Sequence, residues 1–168
     1  QLKRQAANPH PIAVMLLDLD NFKSINDRFG HAVGDRVLMR FAEVANGCMR
    51  RADLFGRLGG EEFAAVLIDA SRERALMVAE QIRTSFANDT YELDGRPIVA
   101  TVSIGMVISY DAVLDISALL AQADHALYRA KDNGRNRIEV ASIELILDRV
   151  RRNGTDTQNI RPAARSAA

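Results

Sequence analysis

The 168-residue chain predicts an α/β fold in which helices flank a central, mostly antiparallel five-stranded sheet, and three observations predict it. Five short apolar runs alternate with three longer segments whose apolar residues recur three and four apart. The resulting order is strand, helix, hairpin, helix, strand, helix, strand, which suits a two-layer or three-layer α/β sandwich. A Gly-Gly pair, Gly59-Gly60, joins two of the runs as a hairpin, so neighbouring strands run in opposite directions there.

Each element follows from its own residues. Residues 12–17 are continuously apolar and stop at Asp18-Leu19-Asp20-Asn21, the pattern of a buried strand feeding a polar loop. From Val33, the positions Val37, Leu38, Phe41, Val44, Ala45 and Cys48 form one helical stripe that covers a sheet. Residues 54–58 and 63–68 are the hairpin strands, and their turn carries Glu61 and Glu62. A second helix spans residues 71–86, with Ala75, Val78, Ala79, Ile82 and Phe86 inward, and Asp94-Gly95 marks a turn. Residues 98–109 read as one long strand, with Gly105 a bulge or a point of close backbone approach. A third helix covers 116–132, with Leu119, Leu120, Ala123, Leu127 and Ala130 inward and Gly134 as its C-cap; residues 137–140 form a last strand. The expected organisation is a connector over 1–11, one domain over 12–142, and a C-terminal helix or linker over 143–168.

Composition narrows the function. Forty-eight per cent hydrophobic and 26% charged residues describe an ordinary globular domain. Lys plus Arg equal Asp plus Glu at 22 each, so the uniform basic field of a bulk nucleic-acid binder is missing. The lone Cys48 cannot form an internal disulfide, no apolar run reaches membrane-spanning length, and no signal peptide opens the chain. The expectation is a cytoplasmic segment without membrane contact, free or as the cytoplasmic part of a membrane-anchored protein.

Acids gather at two places, Asp18 and Asp20 after the first strand and Glu61 and Glu62 in the hairpin turn. A solvated turn with side-chain capping explains the first pair equally well, and a tight turn needs the two glycines whether or not a ligand approaches. Were the ligand a phosphate, carboxylates about 4 Å away would repel it by about 4 kcal/mol at an effective dielectric near 20, so a cation is required between them. Oxygen ligands completed by substrate phosphates suit Mg²⁺, and two such ions fit an in-line phosphoryl displacement. Lys23, Lys131 and Arg135 are placed to meet the outer phosphates, although surface solvation and helix C-terminal charge also account for them.

Residues 17–27 (LDLDNFKSIND), Phe29-Gly30-His31, Gly34-Asp35 and Arg57-Leu58-Gly59-Gly60-Glu61-Glu62-Phe63 resemble the GGDEF domain of diguanylate cyclases, in a Gly-Gly-Glu-Glu-Phe form. Residues 101–105 (TVSIG) and the 123–137 stretch, with Asp124, Ala126, Leu127, Tyr128, Ala130, Lys131, Gly134, Arg135 and Asn136, extend the resemblance over 12–140. It implies a nucleotide-cyclase or palm-like fold and condensation of two GTP into cyclic di-GMP with release of two pyrophosphates. Asp18 and Glu61 would hold Mg²⁺, two ions with Mn²⁺ as a substitute, through their side chains, and Leu19 through its carbonyl. Glu61 also matches the acceptor of the 3′-hydroxyl proton, a duty for which a metal-bound carboxylate is a poor base. Glu62 matches the second acid required for turnover. Asn26 and Asp35 match the guanine readers; a carboxylate suits the adjacent N–H donors of the guanine edge. His31 matches a substrate-contacting histidine, or serves as a loop histidine capping the helix at Val33. Lys23, Lys131 and Arg135 match the groups that neutralise the triphosphate.

Arg50 and Asp53 have the offset from Gly59 of the family's inhibitory site for cyclic di-GMP, and their chemistry suits phosphate and guanine. Gln81 stands where some relatives complete that site with Arg, so weaker inhibition is expected. The family's opening Asp-x-Leu-Thr segment is absent from residues 1–10, which suggests a piece of a longer protein with a flanking sensory or effector domain. Catalysis in the family needs a homodimer, each domain holding one GTP. The rival readings are a silent GTP-binding regulatory domain and a cyclic di-GMP receptor.

Overall fold

In the computed structural model, strand β1 (Ile12–Leu19) is the spine of the sheet, and all eight of its residues are buried. The structure describes residues 10–89, 91–93, 96–110 and 115–141. After β1 come α1 (Phe22–Phe29), α2 (His31–Cys48), β2 (Leu54–Gly59), β3 (Glu62–Leu67), α3 (Arg72–Asn88), β4 (Tyr91–Leu93), β5 (Arg96–Ile98), β6 (Val102–Ser109), α4 (Ile116–Asp132) and β7 (Ile138–Val140). The main sheet has the order β2-β3-β1-β6-β7, and β4 and β5 form a separate two-stranded sheet. Pairs β1·β3, β1·β6 and β2·β3 are antiparallel, while β6·β7 is parallel.

Alternation along β1 divides the core. Ala13, Met15, Leu17 and Leu19 face the layer formed by α1, α2 and α3, whereas Ile12, Val14 and Leu16 face α4. Phe41 of α2 has no exposed surface and meets Phe63 and Phe86 edge-on with ring centroids 4.8 and 4.9 Å apart. Burial of such a ring contributes about 2–3 kcal/mol and supports the hairpin from below. On the other face, α4 comes so close to β6 that a Cβ on Gly105 would lie 2.1 Å from the Ala123 carbonyl oxygen. Gly105 is therefore a point of close approach, and the β1·β6 register runs past it without a bulge.

Several expectations need correction. The polar stretch after Asn21 is a helix, α1, whose Phe22 and Ile25 are buried; its two short turns hide behind Lys, Ser, Asn, Asp and Arg. The single strand expected over 98–109 divides, because Ile98 pairs with Tyr91 in the small sheet and the long ladder starts only at Val102. Asn133 caps α4 and Gly134, at φ 112°, follows it. Leu120 is 37% exposed, since α4 rests on Ala123, Ala126 and Ala130, whose small side chains bring it near the sheet. The Asp94-Gly95 turn, the connector over 1–9 and the segment 143–168 lie outside the described residues. Among the described residues no helix is long and apolar enough to cross a membrane.

Candidate active site

The sheet brings the two groups of acids to one end of β1. Asp18, 5% exposed, pairs with Glu62 of β3, and the Leu19 N–H donates to the Glu61 carbonyl at 3.3 Å. The turn that returns Glu61 to this point passes through Gly60 in the left-handed region, φ 54°, and Arg57 Nε donates to the Gly60 carbonyl at 2.9 Å. From the opposite layer, Lys131 in the last turn of α4 places Nζ 2.7 Å from Asp18 Oδ2. Burial pushes the Asp18 carboxyl above its ordinary value; the Lys131 ammonium opposes this, and the nearby Glu61 and Glu62 carboxylates reinforce it. Glu61 is half-buried and Glu62 exposed. The result is a buried carboxylate beside two others, with one flexible amine as counter-charge.

This donor set fits a hard divalent ion. Among the described residues no three Asp, Glu, His or Cys side chains form a cage of their own. Mg²⁺ is commonly held through one or two carboxylates while substrate phosphates and water fill the rest. Asp18, Glu61 and the Leu19 carbonyl are the oxygens that would take this part.

Helices α1 and α2 carry the remaining candidate residues. No side chain caps the N-terminus of α1, which starts at the β1 exit after Asn21 in the left-handed conformation. Lys23 is exposed on the first turn of α1. Asn26, one turn on, is half-buried and its Oδ1 is an unpartnered buried atom. It presses on α2, where a Cβ at Gly34 would lie 1.9 Å from that oxygen and would displace the Asn26 side chain. His31 is the first residue of α2 and exposed, and Asp35 is exposed one turn later. Asp35 borders a cavity of about 680 Å³ between α2 and β2, walled by Leu38, Met39, Phe55, Arg57 and Phe63. That volume and apolar lining suit a flat base with a polar edge. Arg135 is exposed beyond the C-cap of α4, on the left-handed backbone of φ 63°.

Two acids behave differently from what their spacing suggested. Asp20 does not join Asp18: its carboxylate, 4% exposed, accepts from Thr101 Oγ1, Ser103 Oγ and the Asn136 N–H. Asp53 and Arg50 sit at the other end of β2, roughly 20 Å of extended chain from the Gly-Gly turn. Arg50 is exposed. The Asp53 side chain is 1% exposed and accepts from the Arg50 N–H (2.9 Å), the Ile68 N–H (3.1 Å) and Arg74 Nη2 (2.7 Å). Burial alone would raise its pKa, yet these three donors together hold it below the ordinary carboxylate value. Gln81 is exposed on α3. Sequence reasoning missed Arg74 and the helix end at α1; the spacing of Phe22, Ile25 and Phe29 was the available signal for the latter.

Comparison with known proteins identifies the family. The family described as "Diguanylate cyclase, GGDEF domain" matches residues 1–137. Diguanylate cyclase A of Treponema denticola is 42% identical over 135 residues, covering 80% of this chain and 36% of that protein. Diguanylate cyclase DgcM of Escherichia coli is 43% identical over 129 residues, covering 77% of this chain and 30% of its own length. The chain thus spans about a third of these curated relatives. Among solved structures, the GGDEF domain of DgcB from Caulobacter crescentus in complex with c-di-GMP superposes with a TM-score of 0.75 at 30% identity, over 79% of this chain and 78% of that one. The active GGEEF domain of a diguanylate cyclase from Vibrio cholerae gives 0.72 at 37% identity, over 79% and 83%. A matching family over most of the chain, close relatives in sequence and a shared sheet topology lead to one conclusion: this chain belongs to the GGDEF-domain family.

Proposed function

We propose that this chain is the catalytic domain of a cytoplasmic diguanylate cyclase, joining two GTP into cyclic di-GMP and releasing two pyrophosphates. The observation that carries the reading is Asp18, buried beside Glu61 and Glu62 with Lys131 as its counter-charge, at the end of β1 where the Gly-Gly turn meets it. Such an arrangement is costly for folding and useful for holding positive charge against a polyphosphate.

Asp35 accepts from the guanine edge, with Asn26 as the second reader, and the apolar walls of the cavity exclude water from the base. Lys23 and Arg135 bind the outer phosphates, and Lys131 moves from Asp18 onto the triphosphate as it enters. His31, at the start of α2, contacts substrate. Mg²⁺, or Mn²⁺ in its place, would be held by Asp18, Glu61 and the Leu19 carbonyl and would supply charge neutralisation of the phosphates. The proton of the attacking 3′-hydroxyl passes to a carboxylate of the hairpin turn, Glu61 by resemblance, and Glu62 is the second acid required there. Because one domain holds one GTP, bond formation needs two copies face to face, aligned by a flanking sensory or effector domain.

Product inhibition belongs to this proposal in a weak form. Exposed Arg50 is free to fork onto a phosphate of cyclic di-GMP, whereas the Asp53 carboxylate already accepts three hydrogen bonds and Gln81 brings no charge.

The test is mass-spectrometric detection of product from forcibly dimerised protein supplied with GTP and Mg²⁺. Cyclic di-GMP from the wild type and none from Glu61→Ala is the expected result. A wild type that binds GTP but makes no product would instead establish a regulatory GTP-binding domain.

A further inference from the structure

Asp20 is a buried carboxylate to which the chemistry above assigns nothing. Thr101 Oγ1 donates to its Oδ2 at 2.7 Å, Ser103 Oγ to its Oδ1 at 2.7 Å, and the Asn136 backbone N–H to its Oδ2 at 3.0 Å. Its own N–H donates to the Thr101 carbonyl at 2.8 Å. The β1·β6 ladder ends at Leu19 and Val102, so the Asn136 bond lies beyond it. It reaches to the turn after α4.

That turn is unusual. Gly134, Arg135 and Asn136 have φ of 112°, 63° and 45°, three consecutive positive values of which two fall on residues with side chains. Backbone of this kind persists where its surroundings hold it. Asn136 is gripped from both sides: Asp20 takes its N–H, while Arg83 Nη1 donates to its carbonyl at 3.3 Å and its Oδ1 at 2.9 Å. Glu80 in turn holds Arg83 through Nε at 2.9 Å and Nη2 at 2.6 Å. Immediately before Asn136 stands Arg135, four residues beyond Lys131.

We propose that Asp20 is a positioning residue: by fixing the Asn136 N–H it sets the strained turn and so aims Arg135 at the triphosphate. The functional half of this inference rests on the cyclase reading. Asp20 thereby joins two parts of the site into one unit, because the residue next to Leu19 at the end of β1 also determines where the cation beyond α4 points. Its carboxylate acts through its acceptor geometry; a role as a third metal-holding acid would act through its charge.

Asp20→Asn separates the two. Asparagine keeps an oxygen for Thr101 and Asn136 and turns its NH₂ toward the Ser103 hydroxyl, preserving the grip without the charge. Amide hydrogen exchange at Asn136 reads the grip directly, and steady-state kinetics read its consequence. Asp20→Ala is expected to lose protection at Asn136 and to raise KM for GTP by about tenfold, with a smaller change in kcat. Asp20→Asn is expected to keep the protection and to hold KM within about threefold. Arg83→Ala, at a half-buried position on the outer jaw, should loosen Asn136 and raise KM in the same direction, and it keeps the inference testable if Asp20→Ala fails to fold. An Asp20→Asn protein with normal Asn136 protection but activity as low as Asp20→Ala overturns the proposal in favour of a charge-based role. Asn136 exchange unchanged in both Asp20→Ala and Arg83→Ala overturns it outright. A wild type that neither binds GTP nor makes product refutes the cyclase reading, and the exchange data still decide whether Asp20 governs the turn.

Discussion

Two ion pairs with buried carboxylates, one at each end of the hairpin, look alike and behave in opposite ways. Asp18 meets Lys131 at 2.7 Å, and Asp53 meets Arg74 at 2.7 Å; the two carboxylates are 7% and 1% exposed. Yet the Asp18 carboxyl is pushed up, by burial and then by Glu61 and Glu62 against the pull of Lys131. The Asp53 carboxyl is drawn down, since the Arg50 N–H, Arg74 and the Ile68 N–H outweigh its burial. The difference lies in the neighbours. Asp53 has two fixed backbone donors and a guanidinium with little freedom, which makes it part of the framework that joins β2 to α3. Asp18 has one flexible ammonium and two like charges, which makes it a place where additional positive charge is welcome. Proximity of an acid to a base does not distinguish structure from site; the count of fixed donors and the sign of the surroundings do.

The comparison breaks most visibly at Asp18. Asp18→Asn should lower cyclic di-GMP formation by about a thousandfold, as expected when an electrostatic element of the reaction is removed. Its melting temperature should hold or rise, because a poorly compensated buried charge has gone. Assay and calorimetry on the same preparation check both, and a large fall in stability would place Asp18 in the framework with Asp53.

Arg74→Met is the mirror experiment. It leaves the Asp53 carboxylate buried without its guanidinium and should cost about 3 kcal/mol in urea unfolding, while turnover per folded molecule stays unchanged. A neutral effect on stability would deny Asp53 its structural role.

A smaller effect sharpens the contrast through pH. The Asp53 pKa is depressed in the folded state, so its contribution to stability is present above the unfolded value near 4 and is lost as pH falls through the folded one. Urea unfolding between neutral pH and about pH 3 should show an acid loss of stability that shrinks in Arg74→Met. An acid limb identical in the two proteins would contradict the assignment.

Much of this site was legible from sequence because its signals are local. An apolar run that stops at Asp18, a Gly-Gly turn that carries Glu61 and Glu62, and a helical stripe that ends at Lys131 each lie within a few consecutive residues. What stayed hidden depends on long-range partners. Asp20 is recognisable as a clamp only through Thr101, Ser103 and Asn136, which are 81, 83 and 116 residues away. Arg74 is 21 residues from the acid it neutralises. Helix α1 was obscured by its length, eight residues with only Phe22 and Ile25 buried, and Leu120 was misplaced because a helix resting on alanines narrows its buried face.

The claim that the end of β1 and the hairpin turn together form a cation-dependent nucleotide site is tested most directly by diffraction from crystals grown with Mn²⁺ and a non-reactive GTP analogue. The expected result is anomalous density within coordination reach of Asp18, Glu61 and the Leu19 carbonyl, with Lys131 moved from Asp18 onto a phosphate. Nucleotide density with Lys131 still paired to Asp18 and the metal elsewhere would contradict it.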